Sequence, residues 1–207
     1  MKLYVELMAE VKVRLHVTSQ VASGQLPMPT RMAREFCYLQ LRMICELIAV
    51  SCLLLHGDIE AARGKDITKE WNAADLMARL EGLHPKFFPT PASYSKEGTA
   101  GHFEPVKSEY LTKAELLRLY GRSGDILHRG NLRHLMKEEG EPVAPLPEIT
   151  EWAKKILLLL HQHYAVTLDE SRAFVCVMHN PGDGRVVLFQ ADAEEMPPLS
   201  DEADPES

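Results

Sequence analysis

Residues 30–57 read TRMAREFCYLQLRMICELIAVSCLLLHG, and this stretch decides the architecture. Its apolar residues recur at spacings of three and four and occupy nearly every side of a helix from Arg31 to His56, until Gly57 stops the pattern. A helix that is apolar on almost all sides has to be enclosed by other elements. On the N-terminal side, Tyr4, Leu7, Met8, Val11 and Leu15 form one stripe while Glu6, Glu10 and Lys12 lie elsewhere. That spacing predicts an amphipathic helix ending before Gly24, followed by a Pro/Gly-rich connector over 23–29 with Thr30 as N-cap. On the C-terminal side, a third helix is expected from near Thr68, carrying Trp71, Leu76, Leu80 and Leu83 to the core before His84-Pro85 ends it.

Residues 85–111 read as a long loop whose Phe87, Phe88, Tyr94 and Phe103 dock parts of it on the core. Thr112 and Glu115 have the spacing of a capping box and predict a fourth helix reaching about Gly130. Pro147 starts a fifth helix, with Ile149, Trp152, Ile156, Leu157, Leu159 and Leu160, to about His163. The period then changes to short β-prone runs at Ala165–Leu168, Ala173–Met178 and Val186–Gln190, the last two joined by HNPGDGR. The expected fold class is mostly α: a bundle of about five helices over residues 1–164, with a small C-terminal antiparallel β hairpin or meander over 165–191 packed on it. The tail over 192–207 is too poor in apolar residues to be expected to order itself.

Composition narrows the class further. With 45% hydrophobic and 26% charged residues, the 207-residue chain is neither collagen-like, nor a disulfide scaffold, nor wholly disordered. A chain of this length buries about 70% of its unfolded surface and needs no metal or disulfide to fold. The formal net charge of -7 resides in the tail, where seven acids face no Lys or Arg, which leaves 23 acids against 23 bases in the body. Net charge therefore argues neither for nor against a nucleic-acid partner. Cys37, Cys45, Cys52 and Cys176 sit in apolar runs and form no CxxC, so they read as buried reduced thiols of a cytoplasmic protein. The N-terminus shows no signal-peptide h-region, and Met43–Leu55 is interrupted by Glu46 and shorter than the about 20 residues of a membrane span, so no membrane partner is expected. GxxxxGK[ST], GxGxxG after a strand, GxSxG and HExxH do not occur. His161 and His163 diverge on a helix and have no third ligand at a suitable spacing, so no metal site is read from them.

Chemistry-bearing residues gather in one place, the segment LLRLYGRSGDILHRGNLRH over 116–134. From Lys107 to Lys137 seven bases meet three acids, a local charge of +4 in a neutral body, which would attract an RNA phosphate. Four Arg-x4–6-His pairs occur in the chain (Arg79/His84, Arg122/His128, Arg129/His134, Arg172/His179), and only Arg122/His128 lies on one capped amphipathic helix inside a basic stretch. Six residues rotate the side chains by about 240°, so the two meet only if Gly124 distorts the helix or a second protomer takes part.

In this motif and in helix order over residues 1–164, the chain resembles the HEPN family of small helical bundles, whose ribonucleases carry an Arg-x4-6-His motif late in the bundle. The resemblance implies a homodimer, metal-independent RNA cleavage and no cofactor. Arg122 would stabilise charge developing on the phosphoryl group, and His128 would act as general acid or base. Asp125, Glu46 and Ser123 would support them, Ser123 standing where many of these nucleases have Asn. Arg118, Arg129 and Arg133 would bind RNA. A toxin or defence role would bring an antitoxin-like protein partner. Two alternatives stay open. Arg122, Asp125 and Arg129 have the i,i+3 and i,i+4 spacings of a surface charge ladder, with His128 favoured near a helix C-terminus. The same bundle would also serve a bacterial-type cytoplasmic protein as a non-catalytic protein-interaction module.

Overall fold

A computed structural model describes residues 1–56, 70, 72–97, 100–127, 146–193 and 196. The elements in chain order are α1 (Lys2–Ala22), α2 (Thr30–Leu55), α3 (Ala73–Leu83), β1 (Thr90–Glu97), β2 (Ala100–Pro105), α4 (Lys113–Leu127), α5 (Leu146–Leu160), β3 (Gln162–Val166), β4 (Arg172–Val177) and β5 (Val187–Asp192). The protein is mostly α with a β part.

The helix α2 is the axis of the fold. Its Cys37, Leu41, Ile44, Cys45 and Ile48 are buried, and α1, α3, α4 and α5 all pack on it. At 26 residues α2 is long and apolar enough by length and composition to cross a bilayer, longer than the Met43–Leu55 stretch that the sequence singles out. In this fold its apolar residues form the centre of the core. The helix α1 buries Tyr4, Met8, Val11 and Leu15, the stripe expected from spacing, and Gly24 turns the chain at a φ of +77°. The third helix starts at Ala73, where the Asn72 side chain accepts hydrogen bonds from the Ala74 and Asp75 amides, and not at Thr68. Thr68 and Trp71 lie outside the described residues. The capping box of α4 forms as its spacing requires: the Glu115 amide donates to Thr112 Oγ1 and the Thr112 amide donates to Glu115 Oε2, each at 3.2 Å.

The β part is larger than a hairpin. Five antiparallel strands lie in the order β2-β1-β3-β4-β5, and two of them come from the middle of the chain. Residues 90–97 and 100–105 are thus not a loop. Their strand signal is hidden by Ser, Ala, Pro and Lys, which have little intrinsic β preference, and the strands are held by pairing with each other and with β3. Pro91 is accommodated because the ladder with β2 begins only at Ala92. Phe87 docks in the core as expected, whereas the Tyr94 ring meets Phe103 of β2 and Phe189 of β5 on the face of the sheet that carries a second, smaller core around Tyr164 and Val175. The fifth helix ends at Leu160, so His163 lies on β3.

Buried polar side chains bolt helices to sheet. His163 Nδ1 donates to the Leu160 carbonyl at 2.9 Å, which leaves Nε2 to accept from the Tyr4 hydroxyl at 2.5 Å and ties the start of α1 to β3. His84 Nε2 contacts the Val166 carbonyl at 3.1 Å, and its ring meets the buried His56 ring edge to face at 4.8 Å. All four cysteines are free and buried, and burial pushes the Cys45, Cys52 and Cys176 thiols up to about 12.

Burial lowers the His163 imidazole to about 4. Because this lies below the ordinary value of about 6.5, the unfolded chain takes up a proton that the native state refuses, and stability present above pH 6.5 is lost as pH falls towards 4. In urea titrations, the advantage of wild type over His163→Gln is expected to narrow by about 3 kcal/mol between pH 7.5 and 4. Parallel stability curves for the two proteins would refute a buried neutral His163.

Candidate functional site

Among the polar residues of α2, Arg34, Tyr38, Arg42 and Glu46 follow each other at i,i+4 and form one stripe. This stripe faces α4 and the first turns of α5. On α4, Arg122 is half exposed, and its Nε donates to Glu148 Oε1 at 2.6 Å and its Nη2 to Glu148 Oε2 at 2.8 Å. That is a two-point guanidinium–carboxylate pairing, which fixes orientation as well as charge. Arg122 Nε also donates to the Tyr38 hydroxyl at 3.3 Å. The Glu148 carboxyl is held below the ordinary carboxylate range by Arg122 and Tyr38, against the opposing effect of its own burial, and the Arg122 guanidinium is driven further up by the same contacts.

Tyr38 is the anchor of this cluster. Its ring, almost fully buried, lies 5.9 Å from the Arg34 guanidinium carbon and 6.0 Å from that of Arg122, so one aromatic face system gathers two cations. Arg34 Nε is buried with no hydrogen-bond partner among the described residues. One turn on, Arg42 lies over the Tyr120 ring at 4.2 Å, donates to the Tyr120 hydroxyl at 2.8 Å and pairs with Glu46 at 3.3 Å. A Cβ on Gly124 would come within 3.1 Å of Arg42 Nη1, so the guanidinium would have to give by a few tenths of an ångström.

Arg122, Asp125, Glu46, Ser123 and Arg118, singled out from sequence, fall among the described residues. Arg122 belongs to the cluster and is oriented by Glu148, not by Asp125, which is exposed; the expected i,i+3 rung of a charge ladder is replaced by a pairing between α4 and α5 because the carboxylate of Glu148 meets both guanidinium nitrogens face on. Glu46 pairs with Arg42, one turn away on its own helix. Ser123 is buried and its hydroxyl donates to the Leu119 carbonyl at 2.8 Å, so it turns back onto its own helix instead of into the cluster. Arg118 is exposed, pairs with Glu115 at 3.3 Å and lies 5.6 Å from the Trp152 ring. His128, Arg129 and Arg133 lie outside the described residues, His128 being the residue that follows the last one of α4. His163 has both ring nitrogens engaged inside the protein, and among the described residues no three His, Cys, Asp or Glu side chains are grouped to hold a metal ion.

Sequence reading missed Arg34, Tyr38 and Glu148. The four-residue polar stripe on α2 was a usable signal for the first two. Glu148 had none beyond its place in the first turn of a helix, because its partner is 26 positions away.

Compared with protein-family models, with curated proteins and with solved structures, the chain matches none.

A double-mutant cycle tests the geometry. Arg122→Ala and Glu148→Ala are expected to couple by about 1 kcal/mol in urea unfolding, the discounted value for a half-exposed pair, whereas Arg122→Ala with Asp125→Ala couples by less than about 0.3 kcal/mol. A reversed order would place Asp125, not Glu148, beside Arg122.

Proposed function

We propose that this is an RNA- or nucleotide-binding protein of HEPN-like type that acts as a metal-independent endoribonuclease in a toxin or defence setting, with Arg122 and His128 as its catalytic pair. The observation that carries the reading is the orientation of Arg122: a guanidinium held at two points by Glu148 and at a third by Tyr38, on the helix that leads directly into His128. A pre-oriented cation costs no reorganisation when charge develops on a phosphoryl group. Arg34 brings a second guanidinium to the same tyrosine ring, a further positive charge for a phosphate. His128 then moves the proton, as base towards the 2′-hydroxyl or acid towards the leaving oxygen, near neutral pH. In this reading the protein works in the cytoplasm as a homodimer, the second protomer completing a pair that six residues at 3.6 per turn would set about 240° apart. An antitoxin-like protein partner would restrain it.

The two-point pairing with Glu148 also favours a second reading. A neutralised arginine bridging α4 and α5 is what a structural clasp provides, and the fold would then serve as a non-catalytic protein-interaction module.

Purified protein incubated with mixed RNA in EDTA separates the two. The nuclease reading expects cleavage by wild type, slowed about 100-fold or more by either Arg122→Ala or His128→Ala. RNA left intact by the wild type overturns it and leaves the interaction module.

A further inference from the structure

On α5, the residues that face the arginine cluster and those on the other side of the helix differ in kind. Glu148, Trp152 and Lys155 fall on one stripe, whereas Thr150, Ala153, Lys154, Leu157 and His161 fall about 180° around the axis. That second stripe forms one wall of a groove of about 570 Å³, whose opposite wall is α1 and whose end is the turn after β4. The volume suits a small organic molecule.

Two features of the lining point the same way. Its floor is apolar, built from Leu15, Ala153, Leu157 and Met178, and Leu157 stays 49% exposed there although it belongs to a core helix. Its rim is cationic or protonatable, with Lys12, His16, Lys154, His161 and His179, and no carboxylate among the described residues lines it. Lys12 is fixed in place: its ammonium donates to the Gly184 carbonyl at 2.6 Å and the Met178 carbonyl at 3.3 Å, and sits 3.1 Å from His179 Nδ1. Those partners orient the charge without neutralising it. Among the described residues neither Lys12 nor Lys154 forms an ion pair, in contrast to Lys2, Lys86, Lys113 and Lys155, each of which meets a glutamate.

We infer that this groove binds an amphiphilic organic anion, with an apolar body on Leu15, Leu157 and Met178 and a single carboxylate or phosphate head at Lys154 and His161, within the field of the Lys12 ammonium. Apolar contact supplies the affinity and the unpaired cations select the charge, because a neutral ligand leaves their field unanswered. The site is separate from the Arg122 cluster and does not depend on the nuclease reading.

Titration calorimetry of the full chain with decanoate, decyl phosphate and decanol tests it, all below their aggregation limits. One saturable site per chain is expected for the anions, with decanol weaker by about tenfold or more. Decanoate against decyl phosphate tells which head the site prefers. Lys154→Gln/His161→Gln is expected to weaken decanoate about tenfold and leave decanol unchanged, and Leu157→Glu to abolish binding of both anions, while each variant keeps the wild-type urea midpoint. Arg122→Ala/His128→Ala is expected to bind decanoate as wild type does, so a failed nuclease assay does not touch this result. Equal affinity for decanoate and decanol, non-saturable partitioning, or indifference to Lys154→Gln/His161→Gln overturns the proposal.

Discussion

A helix of 26 residues that is apolar on almost every side has no stable place in water except at the centre of other elements, and in this protein α2 dictates what the rest of the chain does. Leu41, Ile44 and Ile48 are almost completely removed from solvent, each contributing on the order of 2 kcal/mol of transfer free energy. The other described helices bring one apolar stripe apiece to cover it. The same enclosure makes the cysteines inert, since a thiolate at Cys45 or Cys52 would be a charge without solvation.

The helices that cover α2 leave a seam towards α4 and α5. Arg34, Tyr38, Arg42 and Glu46 occupy that seam, and their neighbours on α4 and α5 answer them with Tyr120, Arg122 and Glu148. An ion pair at a seam does more for orientation than for stability, because partial exposure screens its Coulomb energy. What the seam delivers is a set of guanidinium groups of known direction, two of them against one tyrosine ring. Gly124 belongs to the same design, as any Cβ there presses on Arg42.

Much of the helical framework was legible in sequence. The stripe of α1, the extent of α2, the capping box of α4 and the start of α5 are all set by residues within a few positions of each other, where periodicity and cap chemistry act. The strands β4 and β5 were readable too, from runs of β-branched and aromatic residues around a Pro-Gly turn, whereas β3 begins at Gln162, where the helical pattern was read as reaching His163. Residues 90–97 and 100–105 were not, since Ser, Ala, Pro and Lys offer no local preference and become strands only because β3 presents an edge to them. At the site, Arg122 and Glu46 stood out as charges on apolar helices, but their partners did not.

By itself the sequence determined which segments are helices, that one of them is the core, where the thiols go, and that positive charge collects between Lys107 and Lys137. Those properties depend on local periodicity and composition. Tertiary structure alone decided that Arg122 pairs with Glu148 instead of Asp125, that the β part has five strands, and that Lys12 of α1 shares a groove with His161 and His179. Each of these brings together residues tens to more than a hundred positions apart, and such a contact leaves no periodic trace in the chain because only the packing of elements around α2 creates it.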